Sequence, residues 1–113
     1  MSEVVIGVDL GGTNVRAGAF YRDGRAAGPD FSQPSRAQEG TDVIIESLAE
    51  TIQRAVDAAE GPAVAIGLAI PGHVDNTRGV VRWAPNFGHL EDGVFVSWKD
   101  VPIRAPLRER ISL

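Results

Sequence analysis

No cysteine occurs anywhere in the 113 residues. A disulfide framework and a thiolate metal site are therefore excluded, and a reducing cytoplasm is a permitted environment. Excess positive charge is also absent: the formal net charge is -4. A non-specific nucleic-acid binder would carry a basic surface to neutralise phosphates, so that class is disfavoured. Small anionic ligands remain open, because a few backbone amides bind a phosphate on an acidic protein. Long hydrophobic runs are missing too. The longest, Ala63 to Ile70, contains a glycine and is far too short to cross a bilayer. The opening Met1-Ser2-Glu3 lacks the basic and then apolar order of a secretion signal. These absences lead us to expect one soluble, cytoplasmic domain with no membrane and no nucleic-acid partner.

What is present supports a packed core. Hydrophobic residues make up 43% of the chain, and its length suits a single domain. Val4 to Leu10 is β-branched and apolar and stops at Gly11-Gly12, which predicts a buried strand and a tight turn. Val15 to Tyr21 places Val15, Ala17, Ala19 and Tyr21 on one face, predicting a strand that returns antiparallel. A weaker third strand is predicted between Arg25 and Ser32, broken by Gly28-Pro29, with Gln33 to Gly40 as loop. Thr41 is placed to cap a helix from about Asp42 to Glu60, with Ile44, Leu48, Ile52, Ala55 and Ala59 on its apolar face. Gly61-Pro62 ends that helix.

Val64 to Ile70 is continuously apolar and predicts a central strand covered on both faces. Short strands are predicted at Gly79–Trp83 and Val94–Trp98, with Ala84 to Gly93 mostly loop because of Pro85, Asn86, Gly88, Asp92 and Gly93. A last helix is predicted over Pro102 to Ile111, with Pro102 or Pro106 in its first turn. The predicted order is β-β-β-α-β-α, part of a mixed α/β sheet.

Two motifs carry chemistry. In Asp9-Leu10-Gly11-Gly12-Thr13-Asn14, the two glycines remove side chains where a phosphate would approach and free consecutive N–H groups to meet it. Thr13 adds a hydroxyl and Asn14 an amide, while Asp9 is placed to hold magnesium through water. A plain Gly-Gly hairpin is the other reading of this turn. Asp9 tilts the balance, since a carboxylate ending a buried strand needs a partner or a function. The second motif runs from Gly67 through Pro71-Gly72-His73 to Asn86. It reads either as strand, turn and loop or as a sugar-facing segment, with backbone near Gly72 and the Asn86 amide meeting hydroxyl groups.

Together IGVDLGGTNVRAGAF and AIGLAIPGHVDNTRGVVRWAPNF resemble the ROK family (repressors, open reading frames and sugar kinases). Within that family they look like the ATP-dependent bacterial glucokinases. The resemblance implies a ribonuclease-H-like, actin-like ATPase fold and an ATP- and magnesium-dependent hexose kinase of carbohydrate metabolism and glycolysis. It implies that Asp9, Gly11, Gly12, Thr13 and Asn14 contact the ATP phosphates and magnesium, and that Gly72 and Asn86 lie at the sugar. Glucose is the expected sugar, with mannose, fructose and N-acetylated sugars as alternatives; ATP is the expected donor, with polyphosphate as the alternative.

The family's catalytic aspartate, in an Asn-Asp pair, has no counterpart before Leu113, and neither has its zinc motif. Residues 1–113 are therefore expected to be an inactive amino-terminal part of the kinase, a homo-oligomer and dimer. A sugar-responsive ROK transcriptional regulator and a non-catalytic binding module are the competing readings. His89 to Lys99 looks longer than the family's usual link. His73, Asp75 and His89 as a metal site, Glu91-Asp92 as a catalytic pair, and Trp83 or Trp98 as sugar-stacking rings are weaker candidates.

Overall fold

Along Val4–Leu10 buried and open positions alternate, and the buried ones are Val4, Ile6, Val8 and Leu10. That period of two gives strand β1, with its aliphatic side against a helix and its other side open. Residues 2–113 are described in a computed structural model. Strand β2 (Asn14–Tyr21) returns antiparallel, pairing Leu10 with Val15 and Val4 with Tyr21. It buries Val15, Ala17 and Ala19 on the same side as the β1 core positions.

Strand β3 (Phe31–Pro34) pairs with β2. This corrects the expected third strand at Arg25–Ser32, where an isolated bridge between Phe20 and Ala26 is found. The Arg22–Gly24 turn ties Tyr21 to Arg25, and Ala27 is drawn into the core, so pairing resumes after Pro29. Beyond β3, Arg36 pairs with Glu39 at 2.7 Å, and the guanidinium's hydrogen bonds hold that carboxyl below the usual range.

Helix α1 (Thr41–Ala58) buries Ile44, Leu48, Ile52 and Ala55, as its spacing predicts, together with Ile45 and Ala49, whereas Ala59, also expected on that face, is its extended C-cap. Each of the fully buried Ile44, Leu48 and Ile52 contributes roughly 1.5–3 kcal/mol. Thr41 is not the cap. Gly40 occupies that position at φ 101 with no side-chain cap, its N–H held by the Gly88 carbonyl at 2.9 Å. Glycine tolerates that backbone and threonine does not. The helix also ends before Glu60, whose N–H turns to the Ala27 carbonyl at 2.8 Å. Ser47 and Thr51 are buried but paired, donating to the Pro34 and Ser47 carbonyls at 2.5 and 2.8 Å.

Strand β4 (Ala63–Ala69) lies parallel to β1, completing the order β3-β2-β1-β4. The mixed α/β sheet is as expected, but β4 is an edge. The expectation of a strand covered on both faces fails, and Val64 is 51% exposed.

A second sheet, order β5-β6-β7, comprises β5 (His73–Asp75), β6 (Val80–Glu91) and β7 (Val94–Pro102). The expected loop at Ala84–Gly93 is mostly strand, and β5 was not anticipated. The register shifts between Ala84 and Gly88, so Pro85, Asn86 and Phe87 stand outside the ladder. A bulge at this point tolerates the proline. Phe87 nevertheless drives into the core, its ring 5.3 Å from that of Trp98. Helix α2 (Arg104–Arg110) carries Pro106 in its first turn and buries Leu107. The chain order is thus β-β-β-α-β-β-β-β-α. Among the described residues no helix is long and apolar enough to cross a membrane.

Candidate functional site

The β1–β2 turn is closed by one hydrogen bond, from the Gly11 N–H to the Asn14 carbonyl at 2.9 Å. Gly11 is therefore not a free donor, contrary to the reading of consecutive free glycine amides. The turn's N–H groups without a backbone carbonyl among the described residues are those of Gly12 and Thr13. Gly12, Thr13 and Asn14 are all exposed. Behind the turn, the Ser35 N–H donates to the Thr13 carbonyl at 3.0 Å. Ser35 itself is fully buried, and its hydroxyl has no partner among the described residues. It follows directly on β3, within the segment Gln33 to Gly40 expected as loop.

The two glycines differ in what requires them. A Cβ on Gly11 would stand 3.0 Å from the Asn14 carbonyl oxygen, so a side chain there would crowd the turn. A Cβ on Gly12 would meet nothing within 4 Å, and its φ lies outside the left-handed region. Packing and backbone conformation therefore give no reason for glycine at 12. Open space above two unpaired N–H groups is what an incoming phosphate requires.

Asp9 is exposed on the face of β1 that α1 does not cover. Asp9 is not the buried carboxylate expected, and its exposure removes the need for a partner. Arg16, its cross-strand partner, pairs with Asp30 instead, with Nε at 3.1 Å, leaving the Asp9 carboxylate to solvent. Magnesium typically keeps several waters and takes one or two carboxylates plus phosphate oxygens, so a single open carboxylate beside a phosphate turn fits that ion. Among the described residues no three His, Asp or Glu side chains converge as a metal cage.

Asp9 is also in register with Ala69 on parallel β4. The turn and the Ile70-Pro71-Gly72 segment thus leave the carboxyl ends of adjacent parallel strands, where α/β sheets bind ligands. At Gly72 a Cβ would clash with the Trp83 carbonyl and touch Ala84 at 3.1 Å. Its glycine identity comes from close packing on β6. Asn86 is exposed in the β6 bulge, leaving its amide to solvent. His73 and Trp83 are cross-strand partners with ring centroids 5.9 Å apart. Trp98 is a core residue. Glu91 and Asp92 belong to the hairpin tip, where His89 approaches Glu91 at 3.4 Å. An apolar cavity of about 470 Å³, lined by Ile66, Leu68, Ile70, Val74, Leu107 and Ile111 among others, lies along β4 and includes none of these candidate residues.

The ROK family model matches residues 5–113, the turn and the bulge included. The chain belongs to the ROK family. It is 35% identical over 106 residues to a glucokinase of Thermotoga maritima, covering 94% of this chain and 30% of that protein. It superposes on a ROK hexokinase from Thermus thermophilus with a TM-score of 0.74 at 37% identity, covering 95% of this chain and 32% of that one. A ROK glucokinase from Streptomyces griseus, solved with glucose and AMPPNP, gives 0.72 at 29% identity, covering 97% and 31%. The α/β architecture is that of the ROK sugar kinases, the actin-like ATPase fold. The chain spans about 30% of the length of the curated relatives it matches.

Proposed function

We propose that these residues are the nucleotide- and sugar-positioning part of an ATP-dependent hexose kinase, with glucose as the sugar. The observation that carries this reading is the β1–β2 turn. It is exposed, offers two unpaired N–H groups, and holds a glycine at 12 that the fold itself does not require. Phosphoryl transfer asks of a protein mainly positioning and charge neutralisation. The N–H groups of Gly12 and Thr13, the Thr13 hydroxyl and the Asn14 amide would hold the terminal phosphates. Asp9 would anchor magnesium through its water shell, and the ion would offset charge on the phosphate oxygens. Gly72 and Asn86 would stand at the sugar, Gly72 by letting the β4–β5 link lie close on β6 and Asn86 through its amide. The base that takes the sugar hydroxyl's proton is assigned to none of the described residues. A dimeric state and a cytoplasmic location, where ATP and free sugar meet, complete the reading.

The similarity to a glucokinase solved with glucose and AMPPNP supports the choice of substrate and nucleotide. The test is Asp9→Ala in the full-length kinase. Removing an electrostatic positioning group of this kind should lower kcat about 100-fold or more. Because Asp9 is exposed and unpaired, the thermal midpoint should barely move. Near wild-type turnover in a folded variant would sink the assignment of Asp9.

A further inference from the structure

The chain's two tryptophans sit in different surroundings. Trp98 is 2% exposed and packs on Phe87, whereas Trp83 is 47% exposed. The core does not use Trp83. Its ring stands beside that of His73, 5.9 Å away and tilted by 35°. The two side chains share a face because His73 and Trp83 are direct cross-strand partners. Together they form an exposed aromatic ledge on the β5–β6 ribbon.

The ledge lies close to the candidate site through the backbone. His73 follows Gly72, the residue that lets the chain lie against the Trp83 carbonyl. Three residues separate His73 from Ala69, which is in register with Asp9, so the four Cα-to-Cα steps of the link span at most roughly 14 Å. Along β6, Asn86 is three residues beyond Trp83 and holds an exposed amide. A flat apolar ring and a planar amide within roughly 11 Å of chain along β6 suit a pyranose. Its C–H face stacks on an aromatic surface while its hydroxyls take hydrogen bonds from amides.

We propose that Trp83, flanked by His73, is a specificity-determining residue that stacks on the C–H face of the sugar. This rests on the hexose-kinase reading given above. The ledge selects a ring with a continuous C–H face and disfavours an open-chain polyol, which has the same hydroxyls and no such face. No covalent step is involved.

The experiment is a glucose titration of the ¹⁵N-labelled full-length kinase, with sorbitol as the open-chain control. It follows the Trp83 and Trp98 indole N–H resonances and the Asn86 side-chain amide. Glucose should shift the Trp83 indole and the Asn86 amide with one common Kd, leave Trp98 still, and bind more tightly than sorbitol. Trp83→Ala should raise that Kd about tenfold with an otherwise unchanged spectrum, and Trp83→Phe should recover most of the loss. If Asn86 responds to glucose while the Trp83 indole does not, and Trp83→Ala binds equally well, the ledge is overturned and the hexose reading survives. If neither resonance moves, the sugar assignment fails and the ledge with it.

Discussion

At the residue scale, the site contains glycines that look alike in the sequence and differ in the fold. Gly12 has open space where a Cβ would go, and Gly72 has the Trp83 carbonyl there. Gly12→Ala should therefore leave stability unchanged or raise it by about 0.4–1 kcal/mol, by restricting the unfolded chain. Its methyl group would occupy the space proposed for the phosphate, so Mg·ATP affinity should fall about tenfold or more. Gly72→Ala should do the opposite kind of damage, costing about 1–3 kcal/mol through overpacking against β6. Thermal melts paired with a nucleotide titration separate the two. Equal destabilisation by both variants would mean that Gly12 is a folding residue. The motif made both positions visible, but not this distinction, because identity at a glycine does not say whether the neighbour is a ligand or the chain itself. Asp9 teaches the same lesson. An apolar strand suggested a buried carboxylate, yet alternation along β1 turns Asp9 to the open face.

Among the elements, local periodicity was reliable where one side of an element packs and misleading where tertiary contacts intervene. The α1 face of Ile44, Leu48, Ile52 and Ala55 was readable, since a repeat of three and four residues has no other cheap solution. Its cap was not, because Gly40 is positioned by a hydrogen bond to Gly88, far along the chain. The β6–β7 hairpin was missed for a different reason. Pro85 argued against a strand, and only the bulge between Ala84 and Gly88 reconciles the proline with pairing. The usable signal was Asp92-Gly93. Its φ values of 50° and 79° are the two positive angles of a hairpin turn that suits strand twist. A Cβ on Gly93 meets nothing, so strain there comes from the backbone alone. Gly93→Ala should cost about 1–2 kcal/mol, while Gly93→Asn should cost less, since asparagine tolerates that conformation. Urea titrations, with amide exchange along Val80–Pro102, check both. Equal loss from the two substitutions would remove the backbone explanation.

For the whole molecule, the consequence concerns the uncovered side of β4. The chain extends 51 × 27 × 23 Å, and β4 borders an apolar cavity of about 470 Å³. Its sequence AVAIGLA holds no charge and no proline, two of the usual devices that blunt an edge strand, and its one irregularity is at the start, where the pairing with β1 skips Val64. That composition is why the sequence suggested a central strand; an apolar run reports that a strand should be covered, not what covers it. An edge of this kind templates pairing with another chain, so the isolated 113 residues should self-associate with rising concentration. Val64→Lys places a charge on the free strand at a position already 51% exposed, where the fold loses little. It should weaken association about tenfold in sedimentation velocity while leaving the circular dichroism spectrum intact. Because Val64 lies away from the β1–β2 turn, Mg·ATP binding should not change, which separates loss of the edge from loss of the fold. A wild-type chain that sediments as a monomer at every concentration would show that the β4 edge is already protected. Association of Val64→Lys equal to wild type would place the contact on another surface.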